Sequence, residues 1–412
     1  MRNFCKSTRF FKTLAISSSL AASLSLGGCN SMMPFSTPAP QLPKAMPAAP
    51  ITSQPLASSA AATTQFGNGP VHIALILPLT QNGQPDAVGV SLRNAAQLAV
   101  EQSYSNVITV DVMDNQATPA GARAAAQTAL NNGDDLIIGP LISPNVRAVE
   151  QLARAAGKPE IAFSTDSSVA APGVYLLSFL VENDVDRIVD YAASRGKRSL
   201  AALIPDNQYG TVAAAAFQQR AALRGIRVQA LVRYTSATLP AAVQKIAAVK
   251  SQINGLFIPE QAAGLTAVAQ QLAAAGLTGP KVQLLGTGVW NDSRVMSLPA
   301  LQGAWYAAPD NAGFNSFAHN YRAKFGTDPV RLATLSYDAV TLAGALARTQ
   351  GSQRYSTAVL TNPSGFNGSD GLFRFRRNGL CERGLAVEQI TGGSARTISP
   401  APQSFPATTA AR

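Results

Sequence analysis

Short apolar runs alternate with longer segments of helical periodicity over most of the chain. The first half carries five such runs: HIALILPL (72–79), VITVDVMD (107–114), LIIGP (136–140), EIAF (160–163) and VYLLSF (174–179). The segments between them are rich in Ala and Leu, which favour helices, and repeat their apolar residues at helical spacing. Runs that are apolar throughout and are each followed by a helix are typical of a parallel sheet covered by helices.

The same alternation starts again in the second half. Apolar runs at 200–206, 228–234, 255–259 and 282–288 alternate with predicted helices near 184–196, 212–225, 238–250 and 261–276. Two successive units of this kind predict an α/β fold of two doubly wound, Rossmann-like lobes with parallel sheets. Later segments include a strand-like run at 303–309, two helices, and a hairpin that turns at Arg377, Asn378 and Gly379. Linear order alone leaves open which lobe these late segments join.

The N-terminus has a different pattern. Residues 1–13 carry four basic residues and no acid, and an apolar segment of small residues follows at 14–26. This segment is too short to span a membrane, so we interpret residues 1–28 as a secretory signal peptide. The sequence LGGC that ends at Cys29 resembles the lipobox of bacterial lipoproteins, which implies that Cys29 carries lipid. The alternative is an ordinary signal peptide with a coincidental cysteine.

Two segments lack the apolar residues that a core requires. Residues 29–69 are rich in Pro, Ala, Ser and Thr, with seven prolines within 34–55, and we predict a flexible tether there. Residues 397–412 predict a disordered tail.

Composition excludes several classes of function. The chain of 412 residues is 46% hydrophobic, which is enough for two domains with cores of their own. Signal-peptide removal would lower the formal net charge from +11 to +7, because four basic residues and no acidic ones are lost. No Lys/Arg stripe with interleaved aromatic residues occurs, so we expect no nucleic-acid partner. Cys381 would be the one free thiol of the mature chain, which therefore has no intrachain disulfide.

The sequence offers little catalytic chemistry. Its two histidines, His72 and His319, have no acid or second histidine at metal-ligand spacing, and we interpret both as structural. The HExxH, CxxC, GxSxG and GxxxxGK[ST] motifs are missing. We therefore expect a protein that is not an enzyme and has no cofactor or metal.

Polar residues follow the predicted strands instead. Ser143 comes after LIIGP, the turn of Ser164, Thr165 and Asp166 comes after EIAF, Tyr209 follows the next unit's first strand, and Glu260 follows GLFIP. In open α/β sheets, ligands bind outside the carboxyl ends of strands, where helix N-termini attract anions. Each residue taken alone could simply cap a helix. Their common position at one end of two sheets favours a shared cleft.

Several of these segments together resemble one family. LPLTQNGQPDAVGVSLRNAAQLAV, IIGPLISPNVRAVEQLARAAGKPEIAFSTDSS and IPDNQYG are similar to the type I periplasmic binding proteins, which include the branched-chain amino-acid receptors of ABC importers. The resemblance implies two lobes joined by three crossings and closing at a hinge. It places lobe 1 at 70–181 and 288–365, and lobe 2 at 182–287 and 366–396.

The resemblance also implies roles for the polar residues. Ser143 and the turn of Ser164, Thr165 and Asp166 would hold an α-carboxylate, Tyr209 would cover the ligand, and Glu260 would face an α-ammonium group. The chain departs from the family pattern at Asp166, where a threonine is usual and an acid repels a carboxylate. It also lacks the cysteines of the family's lobe 1 disulfide.

A narrower resemblance leaves two functions open. LLGTGVWND and GFNGSDGLFRFRRNG are similar to lipoproteins of this fold described as penicillin-binding protein activators. One hypothesis is therefore a receptor for a small amino-acid-like or peptide-like solute, and the other is a regulator that contacts a penicillin-binding protein during peptidoglycan synthesis. Both predict a periplasmic protein held to a membrane through Cys29. Asn30 replaces the aspartate associated with inner-membrane retention, so the outer membrane of a Gram-negative bacterium is the expected destination.

Overall fold

The computed structural model describes residues 64–405. The predictions for the signal peptide, for Cys29, for residues 29–63 of the tether and for the end of the tail lie outside these residues.

The described part contains eighteen strands and eleven α-helices. The strands, in chain order, are β1 (Thr64–Phe66), β2 (Val71–Leu77), β3 (Thr80–Gln81), β4 (Gln84–Pro85), β5 (Ile108–Asp114), β6 (Ile137–Ile138), β7 (Glu160–Ala162), β8 (Val174–Leu176), β9 (Ser199–Pro205), β10 (Arg227–Tyr234), β11 (Gly255–Phe257), β12 (Gln283–Gly286), β13 (Trp305–Ala308), β14 (Phe366–Gly368), β15 (Gly371–Phe375), β16 (Cys381–Arg383), β17 (Ala386–Thr391) and β18 (Ser394–Ser399). The helices are α1 (Ala87–Ser103), α2 (Pro119–Asn132), α3 (Ser143–Ala155), α4 (Val181–Ser194), α5 (Gln208–Leu223), α6 (Leu239–Ala248), α7 (Ala262–Ala274), α8 (Ser293–Met296), α9 (Asn311–Phe325), α10 (Ala333–Thr349) and α11 (Thr357–Leu360).

The first lobe is built on a sheet of order β1-β5-β2-β6-β7-β8. All neighbouring pairs are parallel except β1 with β5. Strand β2 is buried at every position but His72, because its residues face helices on both sides of the sheet. Helices α1 and α10 pack on one face, and α2 and α3 on the other.

The second lobe repeats this arrangement. Its sheet has the order β10-β9-β11-β12-β13-β17-β18, with parallel pairing from β10 through β13 and antiparallel pairing beyond it. Separate apolar clusters fill its two faces. The predicted fold class, two doubly wound lobes with mainly parallel sheets, is confirmed.

The second crossing between the lobes falls later than the resemblance implied. Residues 288–365 were expected in lobe 1, but β13 pairs with β12 of the second sheet, with Trp305 opposite Leu285. Helices α9 and α10, which follow β13, do pack against α1 of the first lobe. The chain therefore crosses after β13, because the apolar run at 303–309 completes a parallel sheet rather than starting a new lobe.

The third crossing is also displaced. Residues 366–396 were expected in lobe 2, but Phe373 and Phe375 of β15 are buried in the first lobe's core. The backbone N–H of Leu176 donates to the carbonyl of Gly379, which fixes the hairpin to the end of the first sheet at 2.8 Å. Only β17 and β18 join the second sheet. The hairpin with its turn at 377–379 is confirmed by the antiparallel pairing of β15 and β16.

Both ends of the described chain are more ordered than the composition predicted. Residues 64–66 of the expected tether form β1, which pairs with β5 at the sheet edge. At the other end, β18 runs to Ser399 along β17, and Arg187 Nη2 donates to Ser399 Oγ at 2.8 Å. The Arg374 guanidinium lies 4.3 Å from the ring centre of Phe405. Edge pairing and these contacts compensate for the low apolar content of the two segments.

Candidate ligand-binding cleft

A cleft of about 880 Å³ lies between the two lobes at the carboxyl ends of their strands. Its volume falls within the range of small-molecule sites, roughly 300–1,000 Å³. Its walls combine apolar and polar residues from both lobes. They are Leu141, Ile142, Ser143, Ser164, Thr165, Asp166, Phe179, Val181, Asp184, Gln208, Tyr209, Val212, Gln261, Gly288, Val289, Asn291, Asp292, Ala308, Pro309, Phe314, Arg331 and Leu332.

Ser143 is the first residue of α3, directly after the turn that connects strand β6 to this helix. The turn between them requires glycine, because Gly139 has φ of 87° and a Cβ there would lie 2.1 Å from the carbonyl oxygen of Ile76. No side chain caps α3, since its N-cap residue is Ile142. The N-terminal end of α3 therefore has no side-chain cap, and Ser143 lines the cleft beside it.

The turn after β7 forms the neighbouring wall. Ser164 is buried, and its Oγ accepts a hydrogen bond from the Asp166 N–H at 3.1 Å. Asp166 in turn accepts from the N–H and the hydroxyl of Ser168 at 3.0 and 2.6 Å, and Arg147 Nη2 lies 3.9 Å from Asp166 Oδ2. The Ser168 hydroxyl, with help from Ser143 and Arg147, lowers the pKa of Asp166. Asp166 is thus an ionised carboxylate that also caps a short 3₁₀ helix, as the capping alternative predicted.

Tyr209 faces the cleft from lobe 2. It lies in the first turn of α5, whose N-cap Asn207 accepts from the Gly210 N–H at 2.8 Å. The Tyr209 hydroxyl is 2.7 Å from Thr287 Oγ1, which fixes the ring against the second lobe. Burial raises the pKa of Tyr209, so its hydroxyl stays protonated at neutral pH.

Glu260 is the predicted site residue that does not line the cleft. One carboxylate oxygen accepts from the hydroxyl of Tyr234, and the other accepts from the N–H of Gln261 at 2.8 Å. The side chain folds back over α7, close to Gly264. The expected pairing of Glu260 with an ammonium group has no support in this geometry, and Gln261 lines the cleft in its place.

The cleft is also lined by three residues that the sequence did not predict, Phe179, Phe314 and Arg331. The Arg331 guanidinium lies 4.3 Å from the ring centre of Phe314 and 5.3 Å from that of Phe179. Its Nη2 is 2.5 Å from Oδ1 of the fully buried Asp370. Nη1 has no hydrogen-bond partner among residues 64–405. No sequence signal marks this group, because its members come from separate segments that only the fold brings together.

Asp184 of α4 is a further residue of the cleft wall that was not predicted. Its Oδ2 accepts from the Gly288 N–H at 2.9 Å, which ties α4 to the end of β12. Burial, more than any other cause, raises the pKa of Asp184 to about 7.

Two α/β lobes with a cleft between the carboxyl ends of their sheets define a bilobal binding protein. The profile of the family described as "Periplasmic binding protein" matches residues 70–394. The chain belongs to the type I periplasmic binding protein family, whose members are solute-binding proteins and generally not enzymes. This membership implies a periplasmic location. Within residues 64–405, no helix has the length and hydropathy needed to cross a membrane.

Solved structures with the same fold include transporter components from several bacteria. A putative branched-chain amino-acid ABC transporter protein from Rhodospirillum rubrum has a TM-score of 0.71 and 17% identity, with 80% of this chain and 99% of that chain covered. A substrate-binding protein from Desulfitobacterium hafniense in complex with Leu has a TM-score of 0.60 and 19% identity, with coverage of 80% and 99%. A solute-binding protein from Rhodopseudomonas palustris in complex with 3,4-dihydroxybenzoic acid has a TM-score of 0.57 and 22% identity, with coverage of 81% and 97%. A sequence comparison with curated proteins gives no match.

Proposed function

We propose that this protein is a non-catalytic periplasmic receptor that binds a small amino-acid-like or peptide-like solute in the cleft and presents it to an ABC transporter. The main support is the cleft itself, in which Ser143, Ser164 and Asp166 of one lobe face Tyr209 of the other. A ligand that contacts both walls stabilises the closed arrangement of the lobes.

The charges of the cleft point to the orientation of the solute. The Asp166 carboxylate occupies the place where the family resemblance put a ligand carboxylate, and it repels a second anion there. We propose that the solute directs its ammonium group at Asp166. The Arg331 guanidinium, which also lines the cleft, would receive the carboxylate. This is the reverse of the orientation that the sequence implied.

Thermal melting across a panel of solutes tests the proposal. The panel contains the twenty amino acids, alanyl dipeptides, benzoate and 3,4-dihydroxybenzoate. A solute present at 100 times its Kd adds about 2.7 kcal/mol to the free energy of unfolding, which raises the melting temperature measurably. We expect the rise with solutes that carry both an ammonium and a carboxylate group.

Paired variants localise the effect. Asp166→Asn and Tyr209→Phe are expected to weaken binding at least tenfold, because each removes a polar contact in the cleft. Asp206→Asn and Tyr337→Phe make the same chemical changes at residues that do not line it, and are expected to bind like the parent protein. If no solute raises the melting temperature, or if the control variants lose binding equally, the receptor proposal is wrong.

We propose in addition that Cys29 is acylated and anchors the protein, with the outer membrane as its destination. The LGGC sequence supports this. Labelling of cells with a palmitate analogue is expected to mark the protein, and Cys29→Ala is expected to abolish the label and release the protein from the membrane fraction. Label retained by Cys29→Ala would contradict the proposal.

The alternative function is activation of a penicillin-binding protein. The Pro-rich stretch between Cys29 and the first strand favours it, because such a segment can carry the folded lobes away from the membrane surface. This alternative predicts that the protein co-purifies with a bifunctional penicillin-binding protein and stimulates its synthase activity. Absence of a synthase from pull-downs, together with solute binding in the melting panel, would leave the receptor as the function.

A further inference from the structure

Three potential metal ligands meet in lobe 1 at the end of the sheet opposite the cleft. His72 stands near the start of β2, Asp111 lies in β5, and Asp134 precedes β6. One ligand atom from each lies within 4.8 Å of the others. The His72 ring nitrogen Nδ1 is 3.1 Å from Asp111 Oδ2. The sequence spacing shows no acid near His72, but the pairing of β2 with β5 brings Asp111, 39 positions away in the sequence, next to it.

Asp134 is the residue of this group whose environment needs explanation. It is completely buried, and neither carboxylate oxygen has a hydrogen-bond partner among residues 64–405. Its own N–H donates to the Ala129 carbonyl, which holds it at the end of α2. Buried carboxylates are normally paired or hydrogen-bonded, since leaving them without a partner costs several kcal/mol. Asp134 therefore lacks a partner that its position demands.

The nearby cations do not supply that partner. Lys158 Nζ lies 3.0 Å from Asp135, and Arg354 Nη1 lies 3.4 Å from the other oxygen of the same carboxylate. Asp111 is also buried, with 1% of its side chain exposed. Its Oδ1 accepts from Gln65 Nε2 at 2.5 Å, which leaves Oδ2 directed at His72. Two buried carboxylates thus face one imidazole with no cationic side chain paired to them.

We propose that His72, Asp111 and Asp134 bind a divalent transition-metal ion, with Zn²⁺ as the best fit. One imidazole nitrogen and two carboxylate oxygens are a ligand set that suits Zn²⁺. At metal–ligand distances of about 2.0–2.2 Å, tetrahedral ligand atoms lie about 3.4 Å apart, so small side-chain rotations bring the three atoms into place. The His72 side chain is 44% exposed, which gives the ion an entry path and leaves one position for water.

The site would join four segments of the first lobe. Its ligands come from β2, β5 and the turn before β6, and Gln65 of β1 orients Asp111 from the outer shell. The ion would therefore fix the sheet edge where the chain enters the fold. This role is independent of the solute cleft, so failure of the Zn²⁺ proposal would not affect the receptor proposal, and the reverse also holds.

Zn²⁺ binding by the full-length chain, produced without a histidine tag and stripped with EDTA, tests the proposal. We expect one Zn²⁺ per chain by elemental analysis after gel filtration, and a higher melting temperature with Zn²⁺. His72→Gln and Asp134→Asn are expected to lose the ion and the shift, and Gln65→Ala is expected to weaken binding about tenfold.

Matched controls separate the site from surface binding. His319→Gln alters the other histidine of the sequence, and Asp135→Asn alters the neighbour of Asp134, so both are expected to bind one Zn²⁺. Circular dichroism without metal checks that Asp134→Asn folds. The proposal is overturned if the folded parent protein binds no Zn²⁺. If His72→Gln and His319→Gln lose Zn²⁺ equally, the ion binds to the surface and the proposal is wrong.

Discussion

At the scale of single residues, the cleft wall contains an acid whose protonation affects stability. Burial raises the pKa of Asp184 from its usual 3.8 to about 7. The folded chain therefore binds a proton at this residue that the unfolded chain has already released between pH 4 and 7. The contribution of Asp184 to the free energy of unfolding therefore decreases as the pH rises through this window, and it is constant above it.

Asp184→Asn is expected to remove this contribution. The asparagine Oδ1 can still accept from the Gly288 N–H, so the local structure is retained. Between pH 5 and pH 8, the free energy of unfolding of the parent protein should fall about 2–3 kcal/mol further than that of the variant. Urea unfolding at the two pH values measures the difference. Parallel pH profiles for the two proteins would show that Asp184 does not titrate in this window.

At the scale of secondary-structure elements, the strand-to-helix turn before α3 fixes one wall of the cleft. Gly139 combines a positive φ with close contact to β2, whereas Gly133, which ends α2, has φ of 84° and no atom within 4 Å of a Cβ built on it. Both glycines have a positive φ, which disfavours any side chain. Only at Gly139 would a Cβ also clash with a neighbouring atom. They therefore form a natural pair for separating the two effects.

Gly133→Ala is expected to cost about 1 kcal/mol of unfolding free energy, from the positive φ alone. Gly139→Ala is expected to cost at least about 3 kcal/mol more, because the methyl group meets the Ile76 carbonyl in a buried strand. Chemical denaturation of both variants provides the comparison. Similar losses in the two would contradict the close approach and the turn geometry that presents Ser143.

The elements themselves could be predicted from the sequence because their signals are local. Runs such as 72–79 and 107–114 show the hydrophobicity of buried strands, and β2 and β5 occupy nearly those residues. The lobe to which β13 or β15 belongs could not be predicted, since it depends on pairing with strands that are distant in the sequence. The same limit applies to the cleft: Ser143 and Tyr209 follow strands and line it, as the pattern indicates, whereas Arg331 enters it from a loop before α10.

Glu260 illustrates how a correct position can mislead. It does follow a strand that ends at the cleft, as the pattern required. Its orientation, however, is set by Tyr234 at the end of β10, whose hydroxyl holds the carboxylate away from the cleft. A sequence pattern specifies where a residue stands along the chain, but competition among its hydrogen-bond partners decides where the side chain points.

At the scale of the whole molecule, three crossings connect the lobes within residues 64–405, and the first lies beside two cationic groups. Phe179 at this crossing has the guanidinium of Arg331 5.3 Å from its ring centre and that of Arg383 at 4.8 Å. Arg383 Nε also donates to the Ser178 carbonyl at 3.0 Å. Because Phe179 and Arg331 line the cleft as well, a solute there contacts the segment about which the lobes would rotate.

Hydrogen exchange with mass spectrometry gives the most direct test that the cleft is the binding site. The solute that raises the melting temperature most is expected to slow amide exchange at the start of α3, in the turn at 164–168 and at the start of α5, all at once. The edge strands β10 and β18, which do not line the cleft, should exchange as in the free protein. Protection confined to one lobe, or absent from these three segments, would contradict a ligand held between the lobes.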